Sequence, residues 1–219
     1  MKKFYEINRR NTKEINYCLQ QIGQALEDNP GQAIKEIMHA GLIIDRLVPY
    51  RDGHSLRVCN YALLIARSLR LNKEEMIMVE VSAILHDIGK IGIDNSILLK
   101  PEKLTKAEKR EIEKHTLTGY IILHSFIDRP QILDGVRYHH EFWDGTGYPY
   151  GLRDNEIPLI SRVIAVADAF DAMTSHRPYR SIYSKNKAIA ELKKFAGIQF
   201  EAKMVRIFLE VLNELRYSD

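Results

Sequence analysis

The segment at residues 84–90 constrains this chain more than any other, because it places a histidine beside an aspartate at the end of an apolar helix. Apolar residues from Met76 to Leu85 predict a buried helix that leads into His86 and Asp87. Such a pair at the inner end of a buried helix costs free energy unless something satisfies it, and a divalent metal ion does so. Histidine nitrogen and carboxylate oxygen together suit iron, manganese, zinc or nickel. The alternative is a helix end that carries a charge pair without a metal.

The composition indicates one globular core with little net charge. The chain has 219 residues, 45% of them hydrophobic, and a net charge of +3 from 32 basic and 29 acidic residues. This length supports one sizeable core, and this charge balance argues against nucleic-acid polymers or membranes as partners. No apolar run reaches the length of a membrane span. Because Cys18 and Cys59 lie in apolar stretches, we expect buried free thiols and a cytoplasmic protein.

Helical periodicity predicts an all-α fold. An amphipathic helix is expected over residues 1–28, and a second one, with Ile34 and Leu47 on its apolar side, is expected to end at Pro49. A helix that is apolar on most sides is expected over 53–70. Two further helices are expected to begin at the capping pairs Asn72 with Glu75 and Thr105 with Glu108, the second leading to His115. Later helices are expected over 131–138, from Pro158 to Phe170, over 185–196 and over 201–215.

The chain is expected to divide near Pro49 into a short N-terminal helical extension, residues 1–49, and a larger helical domain, residues 50–219. Two amphipathic helices are too few to fold alone, which favours an extension that caps the core. The alternative is a contact surface for a homodimer or a sensory partner.

Five histidines and two aspartates lie at the ends of apolar helices or within them. These residues are His54, His86, Asp87, His115, His139, His140 and Asp168. Seven ligands exceed what one ion takes once water is included, so they suit two ions bridged by a carboxylate, with Asp87 as the natural bridge. The other three histidines, His39, His124 and His176, lack this context and are expected to be structural.

Cationic side chains near this set point to a phosphate substrate. Two ions about 3.5–4 Å apart stabilise an attack at phosphorus. Lys90 follows His86 by four positions and could assist the leaving oxygen, the alternative being a surface lysine at a helix end. Arg177 and Arg180 suit bidentate phosphate binding, with surface salt bridges as the alternative.

Several segments, in order and spacing, resemble the HD-GYP domain, a branch of the HD phosphohydrolase superfamily. The matching segments are His54–Val58, His86–Ile93, Lys100–Leu104, His115–Gly119, His139–Glu141, Asp144–Pro149, Val166–Thr174 and Arg177–Arg180. The resemblance implies an HD-type helical bundle and a phosphodiesterase that hydrolyses cyclic di-GMP to the linear dinucleotide, to GMP or to both. Some relatives act on cyclic GMP-AMP instead.

The resemblance also implies the roles of individual residues. The seven histidines and aspartates listed above match the metal positions of the family, and Asp87 and Lys90 are the expected catalytic residues. The nucleotide-contacting positions fall on Lys90, Tyr148, Arg177 and Arg180. A ligand set without thiolate favours iron or manganese.

The same resemblance bears on metal count and on competing functions. Members with a third ion carry a glutamate four residues before the first histidine, and this chain has Tyr50 at that position. Asp52 is nearer to His54, but a side chain two positions away on a helix points in another direction. Two ions are therefore expected. The competing functions are a non-catalytic receptor for cyclic di-GMP and an HD hydrolase that acts on deoxynucleotides or an alarmone.

Overall fold

The computed structural model describes residues 2–28, 34–47, 53–175 and 182–215. Within these ranges the chain is helical and forms no strand beyond two isolated bridges, which confirms the all-α prediction. The helices are α1 Lys2–Asp28, α2 Ile34–Leu47, α3 His54–Ser68, α4 Lys73–Leu85, α5 Asn95–Leu98, α6 Lys106–Glu113, α7 His115–His124, α8 Pro130–Tyr138, α9 Leu159–Thr174, α10 Lys185–Lys194 and α11 Ala202–Glu214. Short 3-10 segments occupy Ile88–Gly92 and Asp154–Glu156.

Local hydrogen bonds explain where two of the helices begin. The Asn72 side chain accepts from the Glu75 nitrogen, while the Glu75 carboxylate accepts from the Asn72 nitrogen. Thr105 and Glu108 make the same reciprocal pair, so both predicted capping boxes are confirmed. The helix that Thr105 opens ends earlier than predicted, at Glu113, and His115 is the first residue of a separate helix.

The centre of the bundle consists of α3, α4, α8 and α9. Helix α3 packs against α4 and α9, and α8 packs against the same two helices. Their facing side chains belong to one cluster of buried apolar residues, which includes Ile65, Val79, Val136 and Ile164. Close packing of this kind holds the helix ends in fixed relative positions, and the polar residues described below lie at those ends.

The N-terminal helices share this core. Ile15, Leu19 and Ile22 of α1 are buried in the same cluster, and α2 contacts α3 and α4. This packing supports a cap on the core, while the domain boundary near residue 49 stays a prediction. Exposed Tyr17 and Met38 lie on the same two helices. Among the described helices, none is long and apolar enough to cross a bilayer.

Candidate metal centre

The seven predicted ligand residues lie close together, at the C-terminal ends of two helices and the N-terminal ends of two others. His86 and Asp87 follow α4, and the pair His139 and His140 follows α8, while α3 and α7 begin at their own histidines. Asp168 joins them from the middle of α9. Five of the seven are at most 2% exposed, namely His54, His86, Asp87, His115 and His139.

Hydrogen bonds of the Nδ1 atoms hold four of these imidazoles in one tautomer. In His86, His115 and His139, Nδ1 lies 2.7 Å from the carbonyl oxygen three residues earlier in the chain. In His54, Nδ1 lies 2.7 Å from Oδ2 of Asp171. A carbonyl or carboxylate oxygen can only accept, so Nδ1 carries the proton and Nε2 keeps its lone pair for another partner.

The Asp87 carboxylate lies between the Nε2 atoms of different helices. Its Oδ2 is 3.5 Å from Nε2 of His86 and 3.7 Å from Nε2 of His54. Its Oδ1 is 3.4 Å from Nε2 of His115, which is itself 3.2 Å from Nε2 of His139. The candidate ligand atoms thus form two compact groups, His54 with His86 and Asp87, and His115 with His139 and His140. One carboxylate spans both.

Buried atoms without hydrogen bonds support metal ions as the occupants of this centre. Oδ1 of Asp168 lies 3.4 Å from Nε2 of His54 and 3.9 Å from Nε2 of His86. Within the described ranges, neither Nε2 of His86 nor Oδ1 of Asp168 makes a hydrogen bond. An unsatisfied buried polar atom costs about 1–3 kcal/mol. Divalent ions between these lone pairs would remove that cost, so the residues fit the group.

Burial also keeps the imidazoles in the neutral form that binds metal. Burial lowers the pKa of His115 and His139 well below the usual value, and Lys90 lowers that of His115 further. Burial likewise lowers the pKa of His140 to about 4. Metal ligands must be deprotonated, so these side chains are ready to bind a cation at neutral pH.

Lys90 lies against the centre, as its spacing from His86 predicts. It belongs to the 3-10 segment, is 7% exposed, and its Nζ donates a hydrogen bond to Oδ2 of Asp87. A cavity of about 230 Å³ opens beside it, with Asp168 among its lining residues. The ammonium group therefore adds positive charge where a substrate can reach both it and the centre.

Tyr148 closes one side of the centre. Its ring lies 4.9 Å from the ring of His140, and burial raises its pKa above the usual value, so the phenol stays neutral. Glu141, which sequence reasoning named only as part of a motif, supports this loop by accepting from the nitrogens of Tyr150 and Leu152 at 2.7 and 3.1 Å.

Five residues with predicted roles lie outside the described ranges. They are the predicted phosphate-binding residues Arg177 and Arg180, the two third-ion candidates Tyr50 and Asp52, and His176, which was expected to be structural. Their roles stay predictions.

Sequence reasoning missed the part played by Asp171. This carboxylate is 1% exposed, contacts His54, and accepts from Nε of Arg57 at 2.5 Å and from Oγ of Ser175 at 2.9 Å. Burial alone would raise the pKa of Asp171, but the hydrogen bonds from His54 and Arg57 hold it below its usual range. The available signal was its position three residues after Asp168, which places both on one helix face.

Replacing Asp171 with asparagine is expected to weaken metal binding about 10–100-fold, because an outer carboxylate orients its histidine and raises the basicity of the ligand nitrogen. Chelator competition measures the affinity. Ser175→Ala is the matched control, since it removes one hydrogen bond and leaves the carboxylate in contact with His54 and Arg57. Equal affinities in the two variants would contradict the orienting role.

A third group, formed by Cys18, Glu36 and His39, lies apart in the N-terminal helices. The Cys18 sulfur is 3.6 Å from Nδ1 of His39, whose Nε2 is 3.1 Å from Glu14. Burial, reinforced by the charges of Glu36 and Glu14, raises the pKa of the Cys18 thiol to about 11. The thiol of Cys18 therefore keeps its proton in this environment.

Comparison with known proteins agrees with this geometry. A sequence profile described as HD domain matches residues 38–204. The 3'3'-cGAMP-specific phosphodiesterase 3 of Vibrio cholerae is 42% identical over 175 residues, which are 80% of this chain and 38% of that protein. The cyclic di-GMP phosphodiesterase response regulator RpfG of Xanthomonas campestris is 41% identical over 171 residues, 75% of this chain and 45% of that protein.

A third relative and two solved structures are also similar to this chain. A cyclic di-GMP phosphodiesterase of Thermotoga maritima is 38% identical over 180 residues, 79% of this chain and 49% of that protein, so the chain spans half or less of these relatives. The V. cholerae cyclic GMP-AMP phosphodiesterase V-cGAP3 superposes with a TM-score of 0.63 at 17% identity, over 81% of this chain and 49% of that one. The Bdellovibrio bacteriovorus protein Bd1817 superposes with a TM-score of 0.62 at 15% identity, over 94% of this chain and 72% of that one. At these identities the likeness concerns the fold.

Proposed function

The chain belongs to the HD domain family, and we propose that it is a metal-dependent phosphodiesterase that hydrolyses cyclic di-GMP. The observation that carries the proposal is the Asp87 carboxylate, whose two oxygens face different histidine groups. A pair of ions held in this way suits attack on a phosphodiester. Relatives named as phosphodiesterases for cyclic di-GMP and 3'3'-cGAMP support a cyclic dinucleotide as the substrate.

In this proposal the protein holds the ions, orients the phosphate and supplies positive charge. Two divalent ions, when bound, provide several kcal/mol of stabilisation for charge that develops at the phosphate. Lys90, held beside Asp87, keeps an ammonium group near the leaving oxygen. The neutral phenol of Tyr148 donates to the nucleotide, and Arg177 and Arg180 are proposed to bind its phosphates. Iron or manganese is proposed, because the ligands include no thiolate.

Turnover by purified protein, loaded anaerobically with Fe²⁺ or Mn²⁺, tests the function. The panel comprises cyclic di-GMP, 3'3'-cGAMP, cyclic di-AMP, deoxynucleotides and an alarmone, with chromatography to identify the linear dinucleotide or GMP. We expect hydrolysis of cyclic di-GMP. Tight binding of cyclic di-GMP without turnover would instead indicate a receptor, and hydrolysis of deoxynucleotides or the alarmone alone would indicate a different HD hydrolase.

Two metal ions per chain are expected, one for each histidine group, with Asp87 shared between them. Elemental analysis of protein purified without chelator or affinity tag measures the count. The matched variants are Tyr50→Phe and Asp52→Asn, since these residues precede His54. A reproducible third equivalent that disappears in either variant would contradict the count and identify the additional ligand.

The N-terminal helices are proposed to serve as the contact with a second copy or a sensory partner, in addition to covering the core. The exposed apolar side chains of Tyr17, Met38 and Leu42 support this use of their outer face.

A further inference from the structure

We propose that a groove along α9 contains a subsite for one guanine base of the substrate, formed by Glu191, Phe195 and Gln199. The subsite rests on the proposed function, because it needs a cyclic dinucleotide whose phosphate lies at the metal centre. It adds a reason for base selectivity that the metal ligands alone do not provide.

The groove consists of two adjoining cavities. The first, of about 230 Å³, lies beside the metal centre and is lined by Lys90, His140 and Asp168 among others. The second, of about 270 Å³, extends to Glu191 and Phe195. Three residues line both cavities, namely Ala169, Ala172 and Gln199. The two cavities therefore lie side by side along these three residues, and in this proposal the substrate occupies both.

Small side chains on α9 form the common floor of the groove. Ala172 follows Asp168 by four residues, so it lies on the same helix face and about 6 Å further along the axis. That step is comparable to the separation between a phosphate and the base of its own nucleotide. The methyl groups of Ala169 and Ala172 leave room there, whereas a longer side chain would fill the passage.

Backbone hydrogen bonds hold Gln199 in position at the passage. Its nitrogen donates to Phe195 O at 3.0 Å, and its carbonyl accepts from the Trp143 nitrogen at 3.2 Å. The turn before it uses Gly197, whose φ of +81° is in the left-handed region that favours glycine. These bonds fix the backbone from which the Gln199 side chain projects, so a ligand can bind without rearrangement of the turn.

The polar groups of the second cavity match the edge of a guanine. Among the described residues, none makes a hydrogen bond or ion pair with the side chain of Glu191 or Gln199. A carboxylate accepts only, and guanine presents two adjacent donors, N1–H and the 2-amino group, while adenine presents an acceptor at N1. The ring of Phe195 offers a face on which a base can stack. Glu191 therefore favours guanine over adenine.

The test compares Glu191→Gln with Glu210→Gln, a matched change of an exposed glutamate on α11. For each metal-loaded protein, kcat/KM is measured for cyclic di-GMP, cyclic di-AMP and bis(4-nitrophenyl) phosphate, a diester without bases. We expect Glu191→Gln to lower the ratio of kcat/KM for cyclic di-GMP to kcat/KM for the base-free diester about tenfold, which is the effect of one good bidentate contact to a base. Glu210→Gln is expected to preserve this ratio. Gln199→Ala and Ala172→Leu are expected to lower the same ratio.

Different results would overturn the subsite and the proposed function. If the wild type hydrolyses cyclic di-GMP and the three variants Glu191→Gln, Gln199→Ala and Ala172→Leu keep its ratio, the subsite is wrong and the function stands. If the wild type hydrolyses only the base-free diester, the proposed function fails and the subsite fails with it.

Discussion

Replacing Asp87 with alanine is expected to remove both metal ions and to lower turnover by about 10³-fold or more, because one carboxylate faces both histidine groups. An ordinary terminal ligand would give a different result, since its loss should weaken one ion and spare the other. Elemental analysis and hydrolysis of cyclic di-GMP, measured on the same preparation, distinguish the two cases.

Asp128→Ala is the control for the Asp87 variant, because Asp128 is an exposed aspartate away from the centre. The variant protein must also be shown to fold, since the removal of Asp87 leaves the buried ammonium of Lys90 without this partner. Circular dichroism and a thermal melt provide that measurement. A folded Asp87→Ala protein that keeps two ions and normal turnover would show that the bridging assignment is wrong.

Replacing Gly89 with alanine is expected to destabilise the fold by about 3 kcal/mol and to disturb the ion held by the His115 group. A Cβ atom at this position would overlap the carbonyl oxygen of His115 and lie 2.5 Å from the nitrogen of Gly119. Both are backbone atoms of α7, so the 3-10 segment and α7 would have to separate. That separation would also move Nε2 of His115 away from Asp87.

Gly92→Ala offers a matched control in the same 3-10 segment. Its Cβ atom would meet only Cγ2 of Thr118, at 3.2 Å, and a side-chain methyl group can move aside. Urea denaturation and metal content are measured for both variants, and Gly92→Ala is expected to stay near the wild type. Equal stability of the two variants would contradict the close approach of the 3-10 segment to α7.

Much of the fold could be predicted because its signals are local. Apolar periodicity and the capping residues Asn72 and Thr105 depend on neighbours within one or two turns of helix, and each such helix is present. The break between α6 and α7 was not predicted. The boundary could not be seen in the sequence, because Lys114 and its neighbours can all continue a helix and no proline or glycine lies there.

The residues of the centre could be named from the amino-acid sequence: histidines and aspartates at the ends of apolar helices or within them, with a lysine four residues after one of them. Their arrangement in space became visible in the folded protein, which shows how the ligand groups divide, that Asp87 faces both groups, and that Asp171 contacts His54 across 117 positions of the chain. The same holds for the groove between Asp168 and Glu191. The reason is physical: spacing along a helix determines which face a side chain occupies, whereas distances between helices depend on how the whole core packs.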